Sequence, residues 1–162
     1  MIFGDFGPVV IIESEFLLVI LRLIREARAT IDACCYEWSW YPGQRQGTAQ
    51  GINRELCYAA KRGVKVRLML HNESMKGHLG KVNRRTAQEF EVYGCEVRMG
   101  STAKILHAKF WVFDGEKAVV GSHNMSQRSI KSNAEVSAVI EVSEDVVRLR
   151  EYFEGLWGSR GG

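Results

Sequence analysis

Apolar and polar positions along this chain follow two periods, two residues in some stretches and close to four in others. The β-branched run from Val9 to Ile12 predicts a short strand buried on both faces. Phe16, Leu17, Ile20, Leu21, Leu23 and Ile24 then recur at helical spacing, with Arg22, Arg25, Glu26 and Arg28 on the wet side. Ser14 reads as the N-cap of that helix, and Glu15 suits its first turn. A strand over Thr30–Trp38 follows, then a polar loop with Pro42, Gly43 and Gly47, then a helix around Ala49–Arg62 closed by Gly63. Val64–Leu70 is a strand, Lys81–Tyr93 a helix ended by Gly94, and Cys95–Met99 a short strand. This alternation predicts an α/β sheet covered by helices.

The second half changes character. Ile105–Phe113 and Ala118–Gly121 are strand-like and separated by Asp114-Gly115, a hairpin signal. Ala134–Val142 is a further strand, and Ser143 caps a last helix over Glu144–Leu156, with a frayed tail from Gly158. The sheet is expected to be mixed, with parallel units first and an antiparallel hairpin later, in a single domain over residues 1–162.

Composition narrows the class. With 46% hydrophobic and 25% charged residues, wholesale disorder and fibrous repeats are excluded. The net charge of +3, from 22 Lys plus Arg against 19 Asp plus Glu, permits a local anion site but not coating of nucleic acid by charge alone. The longest apolar region, Val9 to Ile24, is broken by Glu13, Ser14, Glu15 and Arg22, so no transmembrane segment is expected. No basic start with a short apolar run and cleavage site reads as a secretory leader. Cys34, Cys35, Cys57 and Cys95 form no C-x-x-C pair and no zinc spacing. They read as small buried hydrophobes of a reducing compartment, and a cytoplasmic location is expected.

The chemistry concentrates between Leu106 and Glu135. His107 and Lys109 stand two apart on a predicted strand, so both project from one face and set an imidazole beside an ammonium. Gly121 lets backbone approach a ligand closely, and Ser122 and Asn124 offer hydrogen bonds to phosphate oxygens. Glu135 is placed to accept from the second nitrogen of His107 and fix its tautomer. Asp114 ends its strand and is assigned to the turn or an ion pair. No carboxylate cluster or His/Cys spacing calls for a metal, and no cofactor is implied. Lys109, Ser122 and Asn124 must then meet the phosphoryl charge themselves.

The set His107, Lys109, Asp114, Gly121, Ser122 and Asn124 matches H-x-K-x(4)-D-x(6)-G-S-x-N without a gap. Chance would produce it in a chain this long on the order of once in a million. This pattern resembles the signature of the phospholipase D superfamily, and the upstream α/β order is similar too. Members commonly carry two copies in one chain; here there is one, since His71, His78 and His123 lack a lysine two residues on. A single copy resembles the short bacterial nucleases and the mitochondrial cardiolipin hydrolase type. The resemblance implies a phospholipase D-like fold and a homodimer, with the two chains sharing one active site about a two-fold axis. It implies a metal-independent phosphodiesterase in which His107 of one subunit forms a phosphohistidine and His107 of the other protonates the leaving oxygen.

Nucleic acid, DNA or RNA, is the first expectation for substrate and an endonuclease the first expectation for activity. A hydrolase of an anionic phospholipid such as cardiolipin ranks second, and a non-cleaving nucleic-acid-binding module third. Trp38, Trp40 and Tyr41 beside Arg45 read equally as a base or lipid platform and as loop packing or dimer interface. Lys76, Lys81, Arg84 and Arg85 read as a solvated helix face or a phosphate track. His71, which ends a strand, reads as a bystander ahead of a place on the site rim, and His123, flanked by residues of the pattern, reads as a bystander.

Overall fold

The computed structural model describes residues 7–44, 49–73, 77–101, 103–141 and 143–159. In chain order the elements are β1 (Val9–Ile12), α1 (Glu15–Glu26), β2 (Thr30–Cys35), α2 (Ala49–Lys61), β3 (Lys65–Leu70), α3 (His78–Val92) and β4 (Glu96–Met99). There follow β5 (Phe110–Phe113), β6 (Lys117–Gly121), α4 (Gln127–Lys131), β7 (Val136–Glu141) and α5 (Glu144–Gly158). The seven strands form one mixed sheet in the order β1-β7-β6-β5-β2-β3-β4. β2, β3 and β4 are parallel, while β5 returns antiparallel beside β2 and begins the antiparallel half.

The alternation of side chains across the pleat explains the two layers. One face carries Ile31, Ala33, Val66, Leu68, Trp111, Phe113 and Val119, buried beneath the helices that supply Phe16, Ile20, Ile52, Leu56 and Phe90. The opposite face carries Cys34, Met69, Phe110, Val112 and Ala118, covered by Val146, Phe153 and Trp157 of α5. Buried Asp32 reinforces that second contact. The Arg67 guanidinium donates to both its oxygens at 2.7 and 2.8 Å and to Glu154 of α5 at 2.6 Å. The same guanidinium lies 5.0 Å from the Phe153 ring and 5.4 Å from the Trp157 ring.

Two expectations are corrected and one element is added. β1 is not buried on both faces: it pairs antiparallel with β7 at the sheet edge, where Val10 and Ile12 lie exposed on the α5 side and Val9 is partly exposed on the other. Ser14 makes no side-chain cap; the Glu15 carboxylate instead accepts from the Ile12 N–H at 2.9 Å. α4, a single turn and a half that sequence periodicity did not separate from the loop, is capped by the Ser126 hydroxyl, which accepts from the Ser129 N–H.

Candidate active site

The segment from Leu106 to Lys109 leads into β5, which begins only at Phe110. His107 and Lys109 therefore precede the strand rather than sit in it, yet they share a side. The Lys109 ammonium lies 3.3 Å from His107 Nδ1 and donates to the His107 carbonyl at 2.8 Å. An ammonium has no lone pair, so in this contact Nδ1 is the acceptor. Both groups rest on Tyr36, just beyond β2: the His107 ring centroid is 4.7 Å from it, and Lys109 Nζ is 5.4 Å above its face. His107 itself is exposed.

Asn124 is fixed around the same tyrosine. Its Oδ1 accepts from the Glu37 N–H at 3.1 Å and from Cys35 Sγ at 3.6 Å, the residues on either side of Tyr36. Its backbone N–H donates to Ser129 Oγ at 2.9 Å. Among the described residues, those bonds leave the Nδ2 amide as its unshared donor. Burial pushes the Cys35 thiol up to about 12, partly offset by backbone hydrogen bonds and by Lys109, so it stays a neutral thiol, 3.1 Å from the Glu37 carbonyl and 3.6 Å from Asn124 Oδ1.

Glu135 does not reach His107. Ser122 Oγ donates to its Oε2, Ser129 Oγ donates to Oε1 at 2.7 Å, and Asn133 Nδ2 donates to Oε1 at 3.0 Å. Burial pushes the carboxyl up, but these hydrogen bonds, aided by His123, outweigh it and hold Glu135 below the usual carboxylate range. The expected Glu135–His107 contact is therefore replaced within the chain by a Ser122–Glu135–Ser129 array. It exists because α4 folds back and turns Ser129 toward Glu135. The Ser122 proton is committed to that array, while its oxygen accepts from the Val136 N–H at 3.1 Å.

Gly121 has a different reason from the one expected. A Cβ there would meet Ser137 Oγ at 2.1 Å and Ser137 Cα at 2.5 Å, across the β6–β7 pair. The glycine makes room for a neighbouring strand, not for a ligand. Asp114 sits at the opposite end of β5, with a positive φ of 53° in a turn completed by Gly115 at 71°. Its carboxylate accepts from the N–H groups of Arg28, Ala29 and Thr30 at 2.8 to 2.9 Å.

The sequence reading missed the role of His71. It is buried at the end of β3, stacked 5.0 Å from Tyr36, and its Nδ1 accepts the Leu106 N–H at 3.3 Å. It thus braces the residue before His107. Burial, with His107 nearby, lowers its pKa against the opposing pull of Glu73. A histidine closing a predicted strand was the signal available. His123, by contrast, is buried away from the pair, stacked 4.1 Å on Phe16, with Nδ1 2.8 Å from Ser137 Oγ. Trp38 is core, its indole N–H bonded to Asn53 Oδ1 at 2.7 Å. Trp40 and Tyr41 are half-buried beside a groove. Arg84 is tied to Asn72 and to the Glu73 carbonyl, and Lys81 and Arg85 are exposed. Arg45 and Lys76 lie outside the described residues.

Among the described residues no three His, Cys, Asp or Glu side chains gather as a metal site, and no helix is long and apolar enough to cross a membrane. The arrangement offers a nucleophilic imidazole, an adjacent cation and an amide donor on an open surface.

A family model described as "Cardiolipin synthase, PLD-like domain" matches residues 20–157. The 5'-3' exonuclease PLD3 of Xenopus laevis is 28% identical over 150 residues, covering 85% of this chain and 29% of that protein. The Bos taurus 5'-3' exonuclease PLD3 is 30% identical over 148 residues with the same coverage. The chain thus spans under a third of the length of these curated relatives. Among solved structures it is similar to Nuc from Salmonella typhimurium, a phospholipase D family member, with a TM-score of 0.75 and 22% identity. That likeness covers 93% of this chain and 94% of the other. NucT from Helicobacter pylori gives a TM-score of 0.77 at 17% identity, covering 98% and 99%.

Proposed function

This chain belongs to the phospholipase D superfamily through its PLD-like domain, and from that premise we propose that it is a metal-independent phosphodiesterase cleaving nucleic acid within the strand. The observation that carries the reading is the exposed His107–Lys109 pair on Tyr36, with the Asn124 amide anchored to both neighbours of that ring. A phosphodiester entering there draws the Lys109 ammonium off Nδ1 and onto its own oxygens. The ring proton passes to Nδ1, and the Nε2 lone pair attacks phosphorus. The N–P bond forms, the P–O bond to the leaving oxygen breaks, and that oxygen takes a proton from a second His107. Water, giving its proton to the same second imidazole, then attacks phosphorus and breaks the N–P bond. Lys109 and the Asn124 amide hold the non-bridging oxygens through both steps.

The second His107 comes from another copy of the chain. Support for this lies in an exposed apolar strip on the α5 side of the sheet edge: Val10, Ile12, Val120 and Val136. The register makes it continuous, since Ile12 pairs with Val136, and Ala138 lies between Val10 and Val120. It ends at Ser122, so covering it with a second copy brings two sites toward one another.

Nucleic acid is favoured because the PLD3 relatives are named exonucleases and because an uncapped His107 admits the interior of a polymer. The test is incubation with linear and circular single-stranded DNA, duplex DNA, RNA and cardiolipin vesicles, with EDTA and with His107→Ala alongside. Cleavage of the circle that survives EDTA and vanishes in the variant is expected. Hydrolysis of cardiolipin alone, cleavage from ends alone, or turnover by the variant each overturns a named part of the reading.

A further inference from the structure

A groove of about 550 Å³, walled in part by Tyr36, opens between the segment after β2 and α3. Its volume falls within the roughly 300–1,000 Å³ usual for small-ligand clefts. Tyr36, Trp40 and Tyr41 give it aromatic walls, and Glu37 and Arg85 give it one charge of each sign. Neither charge is spent. Glu37 and Arg85 make no ion pair with each other, and their side chains make no hydrogen bond among the described residues. Tyr36 is wall to both compartments, so a ligand in the groove lies one ring away from the phosphate site. The Glu37 N–H also holds Asn124, tying the groove to the phosphate amide.

An acyl chain would set hydrocarbon against a carboxylate and a guanidinium, stripping both charges of water without pairing them. A nucleobase has the complementary make-up: π faces for aromatic rings and a polar edge for a charged acceptor. We infer that this groove seats the base next to the scissile phosphate, with Trp40 stacking on it and Glu37 accepting from its amino edge. A carboxylate accepts readily from the exocyclic amine of cytosine, whereas thymine offers it one ring N–H flanked by two carbonyl oxygens that repel it. The inference rests on the phosphodiesterase reading, and it makes this side chain pair a base-preference device.

Three diesters with one leaving group separate the two claims: methyl, thymidine 5′- and deoxycytidine 5′-(p-nitrophenyl phosphate). The nucleoside esters are expected to exceed the methyl ester in kcat/KM by about tenfold or more, the value of one stacked base. Deoxycytidine is expected to lead thymidine. Glu37→Gln erases that lead, while Trp40→Leu lowers the nucleoside-to-methyl ratio. Equal rates for all three esters, or ratios untouched by both variants, overturn the inference while leaving the phosphodiesterase standing. No turnover of any ester sinks the phosphodiesterase instead, and binding then decides the groove. Trp40 is the half-buried tryptophan of the four, the others being 0, 3 and 8% exposed. Deoxycytidine monophosphate should quench the fluorescence of the His107→Ala protein saturably, and not that of the His107→Ala/Trp40→Phe protein. Absence of quench, or quench by cardiolipin vesicles in its place, refutes a base site.

Discussion

At the scale of single residues, the site depends on how an exposed imidazole is held without a strand around it. His107 has four restraints: the ammonium of Lys109, the ring of Tyr36, the buried Leu106 before it, and His71 accepting the Leu106 N–H. Removing the imidazole removes the nucleophile, so His107→Ala should lower kcat by about 10³-fold or more, read on any diester that the wild type cleaves. His71 acts at one remove. Its Nδ1 must stay unprotonated to accept, and the groups facing it are Glu73, which favours the charged form, and His107, which opposes it. Because its folded pKa is lowered, the stabilisation it brings is present above the unfolded value near 6.5 and lost as pH falls through the folded value. Activity should therefore fall on the acid side with a limb that His71→Asn moves or abolishes, since an amide oxygen accepts without titrating. His71→Ala should depress kcat more than KM, and His71→Asn should restore most of the loss. An acid limb unchanged in His71→Asn would show that His71 only packs.

At the scale of elements, two contacts lock the antiparallel half in place. Gly121 on β6 has no room for a Cβ because Ser137 of β7 occupies it, and the near atoms include Ser137 Cα. Gly121→Ala should cost about 3 kcal/mol in urea unfolding, because backbone has to move. Asp114 ties the β5–β6 turn to the loop before β2 through three N–H groups. Burial raises its pKa, but those bonds and the Arg28 charge hold it lower. Its contribution is present above the usual aspartate range near 3.9 and fades as pH drops through the lower folded value. Asp114→Asn should lower the melting temperature at pH 7 by several degrees and flatten its acid dependence. Contacts like these mark where sequence legibility ended. The α/β alternation, the hairpin at Asp114-Gly115 and the six-residue pattern could be read because each lives in local spacing. The edge position of β1 could not, because Val9–Ile12 looks the same whether or not a helix reaches its outer face. The partner of Glu135 was misread because α4 intervenes, and the His71–Leu106 bond joins residues 35 apart with no pattern linking them.

At the scale of the molecule, one chain supplies one His107, and the proposed chemistry needs two imidazoles in opposite protonation states. On the proposed mechanism two copies associate, and the apolar strip of Val10, Ile12, Val120 and Val136 is the surface proposed to join them. Val136 is 53% exposed, so a lysine there reaches water and leaves the fold intact in the single chain. Placed at a two-fold contact, the same lysine meets its own copy or a valine, and either outcome opposes pairing. Val136→Lys should sediment as the 18.3-kDa chain where the wild type sediments as a dimer, with an unchanged urea midpoint at dilute concentration. Its phosphodiesterase activity should fall with it, and wild-type specific activity should itself decline on dilution through the dimer dissociation constant. Mixing an excess of His107→Ala chains with wild type should depress activity below the wild-type contribution, because mixed pairs hold one imidazole in place of two. A Val136→Lys monomer with full activity, or mixed pairs that lose nothing, would mean that a single chain provides both the nucleophile and the acid. The second imidazole would then have to be sought within the chain, where buried His71, one ring from His107 across Tyr36, is the nearest alternative the fold provides.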